Sequence, residues 1–291
     1  MASGYSECPT DLSVRVSTVT GMRHLRLGIT LVALSIFALL ILDFVPGSWV
    51  SDEKYVNATV SYVILGSIFY LGINVLGLPT LEYFGLPRVH FKTALALLMA
   101  SMFMILNVTS SDNVRLAPGL AIRGIIFLVV LGFGEEMVSR GLIFGVLRKF
   151  GRGWAIVISS FLFGLLHLNL YLGSRWDVWL AYWHVMDTFA WGIFTCTLMI
   201  VTRSIWVAVV FHAFSDWGIV FDKVSTVKSS IEPWNPGILE GLTSPFFNGV
   251  MFVGAAMLLL WLDRGTVPKW VKRVALKWKL VEPEIGFSYP L

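Results

Sequence analysis

Glu135 and Glu136 stand side by side inside an apolar run, Phe127-Leu-Val-Val-Leu-Gly-Phe-Gly-Glu-Glu-Met-Val-Ser-Arg140. A charge at membrane depth costs about 2.5–3.5 kcal/mol on insertion scales, so an acidic pair there is retained for what it does. Glu136 and Arg140 are four residues apart with the acid first, the favourable order for a helical ion pair. That pairing neutralises Glu136. Glu135 points about 100° away around the helix and has no basic partner on its own segment, which suits a general base. Two histidines lie in two further apolar segments, His167 in Phe163-Gly-Leu-Leu-His167 and His212 in Phe211-His-Ala-Phe-Ser-Asp216. His212 and Asp216 are again four apart, so the carboxylate is placed to orient the ring. A carboxylate and two imidazoles around one wet point suit hydrolysis. Glu135 would take a proton from water, His167 would help hold that water, and His212 would donate to the developing oxyanion.

Other chemistries fit less well. No Ser or Cys has a base beside it, which disfavours a nucleophilic route. Ser139 and Ser215 read as small residues that let helices approach. Glu135, His167 and His212 would make a His₂Glu set for zinc with one open position, but the usual His-Glu-x-x-His helix is absent. Zinc therefore ranks below a site with no cofactor. His184 and Asp187, three apart, read as an interhelical pair, and Asn74 and Asn169 as interhelical hydrogen-bonding residues.

These groups need a scaffold at membrane depth, and the composition provides one. The chain is 56% hydrophobic and 14% charged, with mean hydropathy +0.76, against roughly 25% charged residues in soluble domains. The fold class is all-α: a polytopic membrane protein with about eight transmembrane helices around a polar cavity. The predicted spans are Leu25–Val45, Ala58–Leu78, Phe91–Val108, Gly119–Leu147, Trp154–Leu172, Val178–Val201, Ser204–Phe221 and Phe246–Leu262. The fourth is overlong, so its far end is expected to tilt or leave the membrane. Residues 1–291 form a single membrane domain with a core at about 119–221, an N-terminal tail over 1–24 and a basic amphipathic tail over 263–291.

Arg88, Lys92, Arg148, Lys149, Arg152, Arg203 and the basic residues of both tails fall on one side of such a bundle. Lys54, Arg115, Arg175, Lys223 and Lys228 fall on the other. The positive-inside rule then puts both termini in the cytoplasm. The C-terminal tail is expected to lie on anionic lipid. Nothing in this charge pattern points to nucleic acid. Cys8 and Cys196 match no metal or disulfide spacing. Asn57-Ala-Thr and Asn107-Val-Thr match a glycosylation pattern that often arises by chance.

The three motifs, taken in order, resemble those of the CAAX protease and bacteriocin-processing family of intramembrane proteins, also called the ABI family. That family's signature is Glu-Glu-x-x-x-Arg, then Phe-x-x-x-His, then His-x-x-x-Asn or Asp. Glu135-Glu136…Arg140, Phe163…His167 and His212…Asp216 match it. The resemblance implies an eight-helix fold like that of the Ras-converting CAAX endopeptidase and a glutamate-dependent peptidase. It implies that Glu135 and His167 activate water, that His212 and Asp216 form the oxyanion site, and that Glu136 and Arg140 support them. Many relatives carry Asn at the position of Asp216. An ionised Asp accepts hydrogen bonds and does not donate them, so here it is read as orienting His212. The residues around the first motif look prokaryotic. This points to a bacterial cytoplasmic membrane and a membrane-anchored protein or peptide substrate: a bacteriocin precursor, a sorting-signal tail as in the myxosortase-like branch, or a regulator. Two other classes stay open: a non-catalytic immunity or scaffolding member, and a proton-coupled carrier built on buried Glu and His.

Overall fold

The computed structural model describes residues 54–110, 113, 115–168, 178–221 and 237–263, and among these it is helical without strands. The order is α1 (Lys54–Val75), a 3₁₀ turn (Pro79–Tyr83), α2 (Phe91–Ser110) and α3 (Pro118–Glu136). A π-helical segment (Met137–Ile143) and a last α-turn (Phe144–Leu147) continue α3 directly. Then come α4 (Arg152–Leu166), α5 (Val178–Thr202), α6 (Ile205–Ser215), α7 (Trp217–Phe221) and α8 (Ile238–Asp263).

The predicted spans from Ala58 onward fall largely on helix where they are described; residues 169–172 of the fifth lie outside the described residues. The predicted Leu25–Val45 span, the N-terminal tail and the C-terminal tail beyond Asp263 lie outside the described residues. Four helices are long and apolar enough to cross a membrane: Ala58–Val75, Phe91–Ser110, Val178–Thr202 and Ile238–Asp263. A total of eight spans is not established. Burial separates the four by role. The apolar window of α5 is 78% buried, against 17–29% for the other three. So α5 is the central post, packed by α4, α6, α8 and α2, while α1, α2 and α8 turn apolar side chains outward. Outward-facing Val, Leu, Ile and Phe are what hydrocarbon solvates without cost.

Three predicted spans differ in detail, each with a physical reason. The fourth passes from α-helix into the π-helical segment after Glu136. Residues 137–143 are all buried, packed against α1, α4 and the 3₁₀ turn. The seventh is broken: α6 stops at Ser215, and Asp216 separates it from α7. The eighth begins earlier, at Ile238, and carries Pro245 within the helix. Asn74 does not reach across to another helix on the amide side. Its Nδ2 donates to the Tyr70 carbonyl one turn back at 2.7 Å. Asn169 lies outside the described residues.

One end of the bundle is clamped by Asp263 at the end of α8. It takes Arg152 Nη2 at 2.7 Å, while Lys92 Nζ donates to its main-chain oxygen at 3.2 Å. This ties the starts of α2 and α4 to α8. At the core, α3 and α6 touch closely because position 132 is glycine. A Cβ there would sit 2.9 Å from the Val209 oxygen and 3.2 Å from His212 Cβ.

Candidate functional site

All three motifs sit where a helix changes or ends. Glu135 and Glu136 are the last residues of α3 before the π segment. His167 caps the C-terminus of α4, and Asp216 caps that of α6. A π turn widens the helix and is common at functional sites. Here the widened turn leaves the Gly141 carbonyl to accept a 2.8 Å hydrogen bond from Thr80 Oγ1 of the 3₁₀ turn.

His212 is the hub. Its Nδ1 donates to Glu136 Oε1 at 2.8 Å. Its Nε2 lies 3.2 Å from Asp216 Oδ2 and 3.6 Å from Glu135 Oε2. The ring is 3% exposed, and Glu136 and Arg140 are fully buried. Arg140 Nε lies 3.2 Å from Glu136 Oε2, and its Nη2 donates to the Gly192 carbonyl at 3.3 Å. Its guanidinium stacks 4.4 Å from the Phe163 ring centroid. Buried charges need such partners, and an aromatic face helps hold a desolvated guanidinium. The close approach uses Gly192, where a Cβ would lie 3.0 Å from Ser160 Cβ.

His167 joins through Phe163. Its Nδ1 lies 2.9 Å from the Phe163 carbonyl, an acceptor only, so Nδ1 carries the proton. In the neutral ring this leaves Nε2 as the lone-pair nitrogen. Phe163 meets His167 and His212 edge to face, with centroids 4.8 and 5.9 Å away.

Two adjoining cavities of about 280 Å³ each run past these groups, and both are lined by Phe163, His167, His184 and Asp216. The first also exposes His212, Asp187 and Trp191. The second exposes Glu135, Ser139 and Tyr62, with Phe127, Leu131, Leu166 and Ile219 as apolar walls. Glu135 lines the second cavity, His212 the first, and His167 both, with His212 Nε2 bridging to Glu135 Oε2 at 3.6 Å.

Several expectations change. Glu136 is more than the partner of Arg140, because it also holds His212. Glu135 is not isolated: Tyr62 Oη donates to its Oε1 at 3.5 Å, and His212 faces its other oxygen. Ser215 is a relay rather than a spacer. It accepts from Trp191 Nε1 at 3.0 Å and donates to the Phe211 carbonyl at 2.9 Å. His184 and Asp187 do not form a closed pair. Both line the first cavity, and His184 lies 5.1 Å from the His167 ring.

For a zinc set, among the described residues no three His, Cys, Asp or Glu are grouped so as to hold a metal ion. His212 has Nδ1 committed to Glu136 and Nε2 between two carboxylates.

Three participants escaped the motif reading. Tyr62 enters from α1. Trp191 packs against His212 at 4.8 Å and between Phe163 and Phe211. Asn107 donates through Nδ2 to the carbonyls of Phe214 and Ser215 at 2.8 and 3.0 Å, where α6 has run out of partners. Trp191 did leave a signal. It lies in mid-span rather than at an interfacial belt, seven residues after His184.

Comparison with known proteins agrees with the motifs. Residues 117–218 match the family model described as type II CAAX prenyl endopeptidase Rce1-like. No curated protein and no solved structure matches significantly. The matched stretch begins one residue before α3, ends just after Asp216 and holds Glu135, His167 and His212. Over residues 117–218, about a third of the chain, the protein is therefore similar to the CAAX prenyl endopeptidases.

Proposed function

We propose that this protein is an intramembrane endopeptidase that hydrolyses a peptide bond of a membrane-associated protein or peptide with water activated by Glu135 and His167. The observation that carries the reading is the pairing of Glu135 and His167 on the wall of one cavity, with His212 3.6 Å from the Glu135 carboxylate.

In this mechanism Glu135 accepts a proton from a water molecule in the second cavity. The lone pair on His167 Nε2 accepts the water's other hydrogen and fixes its direction. The scissile carbonyl enters on the His212 side, where Nε2–H, held 3.2 Å from Asp216 Oδ2 at rest, turns to the developing oxyanion. Glu136 anchors the far nitrogen of that ring and Arg140 anchors Glu136, so the donor does not reorganise as charge develops. Asp216 turns His212 about its second nitrogen. After the tetrahedral intermediate forms, the proton on Glu135 passes to the leaving amine. The helix ends at His167 and Asp216 keep irregular backbone facing a cavity, the one setting at membrane depth that tolerates it.

The decisive test compares membrane proteomes of cells carrying the wild-type protein and Glu135→Gln. A precursor that persists uncut only with the variant supports the reading. Unchanged turnover of that precursor by purified Glu135→Gln refutes it.

A further inference from the structure

The first cavity contains a carboxylate that the proposed hydrolysis does not use. Asp187 lies on α5 in the stripe His184, Asp187, Thr188, Trp191, spaced i, i+3, i+4, i+7 on one helical face. That face looks into the cavity, and all four residues line it. Four other polar groups there are committed to partners. Asn107 holds the end of α6, Ser215 relays between Trp191 and Phe211, His167 bonds Phe163, and His212 bonds Glu136. Among the described residues, Asp187 makes no hydrogen bond or ion pair.

Beside His184, Thr188 and Asp216, the rest of the wall is aromatic. Trp183, Trp191, Phe103 and Phe252 line the same space. A half-buried acid with no partner among indole and phenyl faces has the chemistry of a cation site. The carboxylate supplies the countercharge, and the rings supply quadrupole attraction that strengthens as water is excluded. The cavity shares His167, His212 and Asp216 with the reacting point. Whatever occupies it is therefore part of the molecule being cleaved, within a few residues of the scissile bond.

We propose that Asp187 and the surrounding aromatic rings form a specificity subsite for a basic side chain, Lys or Arg, of the substrate. The second cavity, walled by Phe127, Leu131, Leu166 and Ile219, takes an apolar side chain on the other flank of the bond. This inference rests on the peptidase reading for its meaning, but the subsite can be measured as binding alone.

The probe is a set of 12-residue apolar peptides in which Lys, norleucine or Glu is placed at each position in turn. Affinity is measured by thermophoresis on the Glu135→Gln protein in lipid nanodiscs, where bound peptide is not turned over. At one or two adjacent positions, the Lys peptide should bind at least about tenfold more tightly than its norleucine counterpart. Asp187→Asn should bring that ratio to about one. Asp187→Glu should keep it, and Asp187→Lys should favour the Glu peptide. Melting curves of each variant with the norleucine peptide control for folding.

The subsite is refuted if the Lys-to-norleucine ratio is about one at every position. It is equally refuted if Asp187→Asn leaves the ratio unchanged. Incubating the best Lys peptide with the Glu135-bearing protein separates the two readings. Selective binding without cleavage overturns the peptidase and keeps the subsite. Cleavage indifferent to Lys keeps the peptidase and overturns the subsite.

Discussion

His212 Nδ1 and Glu136 Oε1 lie 2.8 Å apart, although 76 residues separate them in the chain. This bond links the first motif to the third across the α3–α6 contact. It also gives the two adjacent glutamates different work. Glu136 faces inward to Arg140 and the far nitrogen of His212. Glu135 faces the cavity. Removing either carboxylate should therefore give a different defect.

Glu135→Gln should abolish catalysis and spare the fold. Loss of a general base costs about 10²–10⁴-fold in rate. Peptidase assays on the reconstituted protein should show that drop, with a melting temperature close to that of the parent.

Arg140→Met should act on stability first. It leaves the Glu136 carboxylate buried without its counter-ion, a loss of about 3–5 kcal/mol. Arg140→Met combined with Glu136→Gln removes both charges and should recover much of that stability without recovering turnover. Denaturant titration of the single and double variants checks the first outcome, and the peptide assay checks the second.

Gly132→Val should separate α3 from α6. A Cβ at 132 already falls 2.9 Å from the Val209 oxygen, and branching adds two more carbons. Overpacking of this kind costs about 1–3 kcal/mol. It should also weaken the His212–Glu136 bond and so lower kcat more than it raises KM. Gly119→Val, where a Cβ meets nothing within 4 Å, is the control and should leave both unchanged.

Trp191→Phe keeps an aromatic ring beside His212 but deletes the donor to Ser215. One lost hydrogen bond costs about 0.5–1.5 kcal/mol. The expected result is a small fall in melting temperature and a several-fold fall in kcat, because Ser215 also fixes the end of α6. Ser215→Ala should give the same kcat, and the double variant should be no worse than either single change.

Asn107 matches a glycosylation pattern, yet its amide nitrogen is committed to the carbonyls of Phe214 and Ser215. A glycan on that nitrogen would strip both carbonyls of their donor. Thr109→Ala destroys the pattern and leaves the amide in place. It should change neither electrophoretic mobility nor activity, whereas Asn107→Ala should lower thermal stability.

The sequence carried the parts of this site that depend on local geometry. Residues four apart on a helix share a face, so Glu136 with Arg140 and His212 with Asp216 could be paired before any coordinates. Depth along each span brought Glu135, His167 and His212 to one level. Azimuth was not available, because a transmembrane segment read alone does not say which neighbour each face meets. The Glu136–His212 bond and the opening of Asp187 to a cavity both depend on it. Helix breaks were also hidden. Phe211-His-Ala-Phe-Ser-Asp216 contains no Gly or Pro, so the stop at Ser215 follows from Asn107 on another helix accepting the role of a cap.

The π segment at Met137–Ile143 carries one residue more than the α-turns it replaces. Each extra residue swings everything on one side of it by about 100° relative to the other. A helical wheel drawn through Gly119–Leu147 as one uninterrupted rod therefore assigns its final third to the wrong compass bearing. Trimming a single residue from that stretch should leave an ordinary helix that still fits the bundle, with Glu135 and Glu136 rotated off their targets. The bearing of the last turns relative to both acids is set by that surplus residue.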